Sequence, residues 1–167
     1  SPMQLLLTIA YIAARWTRDV VWAIQRPHLR GVRVVVVDPH GAVLLVRHRA
    51  GPHAWVIPGG GIDAGEAGHV AASREIFEES GLHIPVTAAD LHGSFNEAHP
   101  RHPCTTVVYA VTLTQVQTPQ PSPWSLEIAA ARFVPIAQLT SLDNSVEPGC
   151  LRRITEVCAA QPAATNW

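Results

Sequence analysis

Hydrophobic positions along the chain change period several times, and each change predicts an element. Leu5, Ile9, Ile12, Trp16, Val20 and Ala23 recur at helical spacing while Thr8, Arg15, Arg18 and Gln25 lie toward another side, which predicts an amphipathic helix over residues 3–25. Pro27 and Gly31 end that pattern. Residues 32–38 and 42–47 are rich in valine and leucine and are joined by Asp38-Pro39-His40-Gly41. They predict a β-hairpin whose strands are covered on both faces. Residues 70–80 contain neither Gly nor Pro and stop at Gly81, as a helix with a left-handed cap would. Residues 84–96 and 104–114 predict strands, the second from the alternation of Thr105, Val107, Tyr109, Val111 and Leu113. The proline-rich stretch 117–123 reads as an extended loop inside the domain, followed by a strand over 128–135, a closing helix over 146–160 and a frayed tail over 161–167.

The helix over 70–80 carries an unusual polar face. At about 100° per residue, Glu75, Glu78 and Glu79 fall within an arc of about 100°, with Arg74 at its edge. Val70, Ser73, Ile76, Phe77 and Ser80 fall on the other side and are expected to face the core. Like charges on one helix face repel by about 0.2–0.5 kcal/mol per pair, and no lysine is interspersed to relieve them. A divalent cation would turn the repulsion into attraction, because hard ions such as Mg²⁺ take oxygen ligands. The helix alone leaves a plain acidic surface as an equal alternative. Gly59, Gly60 and Gly61 favour the cation, since a backbone without side chains can come close to the acids and offer a carbonyl.

Gly60-x5-Glu66-x7-Arg74-Glu75-Ile76-x-Glu78-Glu79-x-Gly81-Leu82 matches the Nudix box at every specified position, and on these residues the chain resembles the Nudix (MutT-like) hydrolases. With each fixed residue expected at about 5–7%, a chance match is on the order of one in ten million or rarer. The resemblance implies an α/β fold, an α/β/α sandwich around a mixed β-sheet over residues 30–160, with the helix over 3–25 as an addition. It also implies hydrolysis of a diphosphate linkage in a nucleotide derivative, with Mg²⁺ or Mn²⁺ as cofactor. Carried over residue by residue, it makes Glu78 and Glu79 metal ligands, Glu75 a ligand or base, and the Gly59 carbonyl a further ligand. Arg74 would orient the carboxylates and Glu66 would brace the loop, with Gly60 and Gly81 structural. The general base of such enzymes sometimes comes from a later loop, for which Glu97 and Glu127 are the outside candidates. No clean subfamily marker accompanies the box. ADP-ribose or another nucleotide sugar, and a modified nucleoside triphosphate, therefore stay open as substrates. A nucleotide-sensing module without turnover is the competing class, although such modules usually lose box acids that are all present here.

Composition narrows the partners. A chain of 167 residues with 47% hydrophobic content fits one globular domain. Twelve Lys and Arg against thirteen Asp and Glu give a net charge near −1, which argues for a small nucleotide over polymeric nucleic acid. Cys104, Cys150 and Cys158 are odd in number and follow no C-x-x-C spacing, which suits small buried apolar residues in a reduced cytoplasm. Arg47, His48 and Arg49 emerge at the end of the second strand, as phosphate contacts or as a solvated strand end. Trp55 and Pro58 are expected to fix the glycine loop by packing. Glu97, His99 and His102 invite a metal reading, but their proline-broken spacing fits no zinc pattern. A substrate-lining loop using Glu97 and His99, or an ordinary polar loop, is left. Trp124 and Glu127 flank the end of the proline-rich stretch and are further candidates for substrate contact. The uncharged apolar run over residues 3–14 is interrupted by Arg15, Arg18 and Asp19 well short of the about 20 residues of a membrane span. Its apolar stripe predicts packing on its own domain or on a second copy in a homodimer. Peripheral membrane contact through Trp16, Trp22 and the nearby arginines is the alternative.

Overall fold

Strands that alternate valine on both faces need cover on both faces, and the fold supplies it. The computed structural model describes residues 29–52, 54–97, 104–143 and 145–167, together with Leu6, Ile9, Ala10 and Ala13. In chain order the elements are β1 (Leu29–Val37), β2 (Ala42–His48), β3 (Trp55–Val56), α1 (Gly68–Ser80), β4 (Leu91–Glu97), β5 (Cys104–Thr112), β6 (Ile128–Pro135) and α2 (Pro148–Cys158). The sheet runs β3-β2-β1-β5-β4, with β6 paired along the other edge of β2 from Ala42 to His48. β1 and β5 are parallel, and the remaining pairs are antiparallel. Val32, Val34 and Val36 of β1 point to one cluster with Leu44, Tyr109 and the α1 residues Ala71, Ala72 and Ile76. Val35, Val43, Leu45 and Val108 point to the opposite cluster with Trp55, Ile57, Cys150 and the α2 residue Ile154. The result is the expected mixed sheet between helices.

The hairpin opens to make room for the glycine loop. Asp38 Oδ1 accepts from the His40 and Ala42 amides at 2.8 Å each and closes the turn. β1 and β2 pair at Val37 and Val43, next to that turn. Farther along, the backbone of the glycine loop takes up the hydrogen bonds of β1. Val34 N donates to Pro58 O at 2.9 Å, Val32 N to Gly60 O at 2.9 Å and Ile62 N to Arg30 O at 3.0 Å. The loop is thus held by the sheet itself.

Several expectations need correction. The arc of α1 that is buried comprises Ala71, Ala72, Glu75, Ile76, Glu79 and Ser80, so it is rotated toward the acids. Val70 and Phe77, expected in the core, are exposed, and Phe77 stacks on His83 at 4.3 Å. The two small alanines let the helix lie close to the sheet on a side that charge patterning marked as polar. The strand expected over 84–96 begins only at Leu91, because Thr87 and Asp90 form a capping box on a short 3₁₀ turn, Ala88–Asp90. The tail 161–167 is docked and not frayed: Ala163 and Trp167 pack on the α2-side cluster, and Trp167 meets Phe95 edge-on at 5.8 Å. Of the cysteines, Cys150 is buried and its thiol is pushed up to about 12 by that burial, whereas Cys158 is exposed. Leu6, Ile9, Ala10 and Ala13 are helical and exposed, but the stripe residues Leu5, Ile12, Trp16 and Val20 lie outside the described residues. Among the described residues no helix is long and apolar enough to cross a membrane.

Candidate functional site

Glu79 is the centre of the site. It is the penultimate residue of α1, just before the cap where Gly81 adopts φ 74° and returns its amide to Phe77 O at 2.8 Å. Its side chain is directed into the seam between α1 and the glycine loop and is only 3% exposed. Oε2 accepts from the Gly59 amide at 2.9 Å. Burial raises the Glu79 carboxyl to about 8, against the opposing pull of that amide and of the Arg33 guanidinium. A carboxylate kept in this position is therefore short of positive charge.

The loop can come this close only because it is glycine. A Cβ on Gly59, whose φ is 154°, would collide with the Val32 carbonyl oxygen, and one on Gly60 would lie 2.5 Å from Glu75 Oε1. The carbonyls of Pro58 and Gly60 are taken by β1, and that of Gly61 by Arg74 Nη2 at 2.9 Å. The Gly59 carbonyl accepts no hydrogen bond from the described residues.

Arg74 organises the rest of the acids. Its Nε and Nη2 grip Glu66 Oε1 and Oε2 at 3.0 and 2.9 Å in a two-pronged contact. Its Nη1 donates to Glu75 Oε1 at 2.7 Å and lies 3.6 Å from Glu78 Oε2. Glu66 also accepts from the Asp63 amide at 3.0 Å, and the Arg74 contact holds its carboxyl at about 2. Glu75 is buried against Gly60, and desolvation raises its carboxyl. Glu78, expected to be equivalent to Glu79, has a side chain 55% exposed. The three acids on one face are thus one buried centre, one braced neighbour and one solvent-facing carboxylate.

Two further residues close the site from the sheet. His48 Nε2 lies 4.0 Å from Glu79 Oε1, and its Nδ1 lies 3.5 Å from Glu127 Oε1. The ligand-capable atoms of His48, Glu79 and Glu127 all lie within 4.8 Å of one another. Glu127 is held there by Arg49, whose amide donates to Glu127 O at 2.7 Å and whose guanidinium reaches the carbonyls of Ser125 and Ile128. A register shift between Arg47 and His48, opposite β6, adjusts the strand end at this point. Sequence reasoning grouped His48 with Arg47 and Arg49 and missed its place beside Glu79. The phase of β2 contains the signal, since Leu44 faces α1 and His48 is two alternations later.

The other candidates fall elsewhere. Arg47 faces the opposite side, over the Trp55 ring at 5.3 Å, and Arg132 covers the same ring at 4.5 Å. Trp55 itself is buried and packs as expected. Trp124 is 63% exposed. Glu97 ends β4, and His99 and His102 lie outside the described residues. The donor set around Glu79 fits a divalent cation: a buried carboxylate lacking a full balancing charge, with a second carboxylate and an imidazole whose ligand-capable atoms lie within 4.8 Å of one another.

Comparison with known proteins agrees with this fold. An RNA pyrophosphohydrolase of Rhodospirillum rubrum is 44% identical over 55 residues, covering 33% of this chain and 33% of that protein. The likeness therefore spans about a third of the relative's length. Among solved structures, a MutT protein from Methanosarcina mazei Go1 superposes with a TM-score of 0.62 at 20% identity over 81% of this chain and 95% of that one. The NUDIX domain of Shewanella oneidensis NrtR, solved with ADP ribose, gives 0.66 at 21% identity over 80% and 88%. At these identities the structures speak for the fold. The NUDIX domain profile matches residues 27–154, most of the chain and all of the site just described, and the chain accordingly belongs to the Nudix family.

Proposed function

We propose that this chain hydrolyses a diphosphate linkage in a nucleoside diphosphate derivative or a modified nucleoside triphosphate, using Mg²⁺ or Mn²⁺. The observation that carries the reading is the buried Glu79 carboxylate, set against a glycine loop and facing a second carboxylate and an imidazole. Glu79, Glu75 and the Gly59 carbonyl would hold the ion, with Glu78 reaching it from the solvent side. When bound, such an ion neutralises phosphate oxygens and acidifies a water. The chain's own task is positioning. Arg74 fixes Glu75 and Glu66 so that the loop and the helix keep their spacing. The water oxygen bonds to phosphorus, the bridging P–O bond breaks, and the water's proton passes to Glu75 or Glu127.

The name of the Rhodospirillum rubrum relative, an RNA pyrophosphohydrolase, supports a second substrate, a pyrophosphate linkage in an RNA. The near-neutral charge of this chain favours a free nucleotide instead. A panel of ADP-ribose, nucleotide sugars, nucleoside triphosphates and a 5′-triphosphorylated oligoribonucleotide, assayed for phosphate and nucleotide release, separates them. Metal-dependent release from a member of the panel is expected. Tight nucleotide binding with neither metal nor product would identify a sensing module.

A further inference from the structure

We propose that His48 is a nitrogen ligand of the cation site, so that the site prefers first-row divalent ions over Mg²⁺. The inference rests on the metal reading of Glu79 given above.

Three observations lead there. First, His48 Nε2 and Glu79 Oε1 are 4.0 Å apart, beyond a hydrogen bond. Two donors each about 2.1 Å from one ion can be separated by up to about 4.2 Å. The gap between the imidazole and the buried carboxylate is that of two ligands of one ion, wider than that of a hydrogen-bonded pair. Second, Glu79 is almost wholly buried and its Oε2 is committed to the Gly59 amide, which leaves Oε1 directed at His48. Third, the other ring nitrogen of His48 faces Glu127 at 3.5 Å. A ligating histidine characteristically gives its second N–H to a carboxylate, which fixes the tautomer and aims the lone pair at the metal. Glu127 is placed for that role by the Arg49 contacts, and the register shift at Arg47 and His48 adjusts the strand end that carries the ring.

The consequence is selectivity. Carboxylates, carbonyls and water suit Mg²⁺, whereas imidazole adds affinity for Mn²⁺ and, more strongly, for the later first-row ions. An all-oxygen set would show no such preference beyond the ordinary trend.

Titration calorimetry of Mg²⁺ and of Co²⁺ into wild type, His48→Gln and Glu79→Gln, with circular dichroism to check folding, tests this. His48→Gln is expected to lose at least tenfold in Co²⁺ affinity and less than threefold in Mg²⁺ affinity. The Mn²⁺-loaded wild type is expected to show electron-spin-echo modulation from an imidazole nitrogen, a readout that needs no variant. Absence of that modulation with Mn²⁺ bound, or equal loss of both ions in His48→Gln, overturns the role of His48. If Glu79→Gln binds both ions as tightly as wild type, the metal reading itself falls, and His48 with it.

Discussion

A buried carboxylate without a full counter-charge is costly, and Glu79 is such a group in the metal-free protein. Its folded-state value of about 8 lies above the ordinary carboxylate value of 4.5. Folding then favours the protonated form, so the stabilising contribution is full below about pH 4.5 and is lost as pH rises through about 8. Glu66 has the opposite sign. Arg74 holds it at about 2, so its contribution is present above 4.5 and lost only as pH falls through about 2. Glu79→Gln should therefore stabilise the metal-free protein at pH 8, by on the order of a few kcal/mol, and by progressively less toward pH 4.5. Glu66→Gln should destabilise it at neutral pH. Urea unfolding of metal-free wild type and both variants across pH 4 to 9 checks the pair. A Glu79→Gln protein that is less stable than wild type at pH 8 would mean that the side chain is not buried as described.

At the scale of elements, the glycine loop is the part on which the site depends. Gly59→Ala would place a methyl on the Val32 carbonyl oxygen. The loop would have to leave β1, at a cost of about 2–4 kcal/mol. The same displacement withdraws the Gly59 amide from Glu79, so cation affinity should fall together with stability, and calorimetry beside thermal melting would show both. Much of this arrangement was legible beforehand. The valine-rich hairpin follows from its nearly continuous apolar runs, because β1 and β2 lie between two apolar layers, β5 follows from its alternation, and the span Ile128–Pro135 of β6 is legible as a further apolar run. The left-handed cap at Gly81 and the spacing of Arg74 from Glu66 were equally readable. The buried arc of α1 was not, because its core contacts are Ala71 and Ala72 and two of its buried residues are glutamates. Periodicity weights bulky apolar residues, and here Val70 and Phe77 point outward. His48 was hidden for a related reason: a polar residue at a strand end reads as solvated unless the phase of the strand is carried through to it.

For the whole molecule, the C-terminal segment finishes the layer opposite the site. Arg153 of α2 is fully buried, pairs with Glu156 at 2.6 Å, donates to Asn166 O at 2.9 Å and lies over the rings of Phe95 and Trp167. His92 meets the same Glu156 at 2.9 Å, so β4, α2 and the tail share one polar knot under apolar cover. Trp167→Ala should cost about 1–3 kcal/mol in chemical unfolding while leaving cation affinity unchanged, since the sheet separates the two faces. The central claim concerns the other face, and hydrolysis in ¹⁸O-enriched water tests it most directly, with the substrate panel, Mg²⁺ or Mn²⁺, and wild type beside Glu79→Gln. The account predicts one solvent oxygen in a phosphate-bearing product from wild type, none with chelator, and turnover lowered by about a thousandfold or more in Glu79→Gln. Undiminished turnover by Glu79→Gln, turnover that persists in chelator, or no metal-dependent turnover on the whole panel would contradict it.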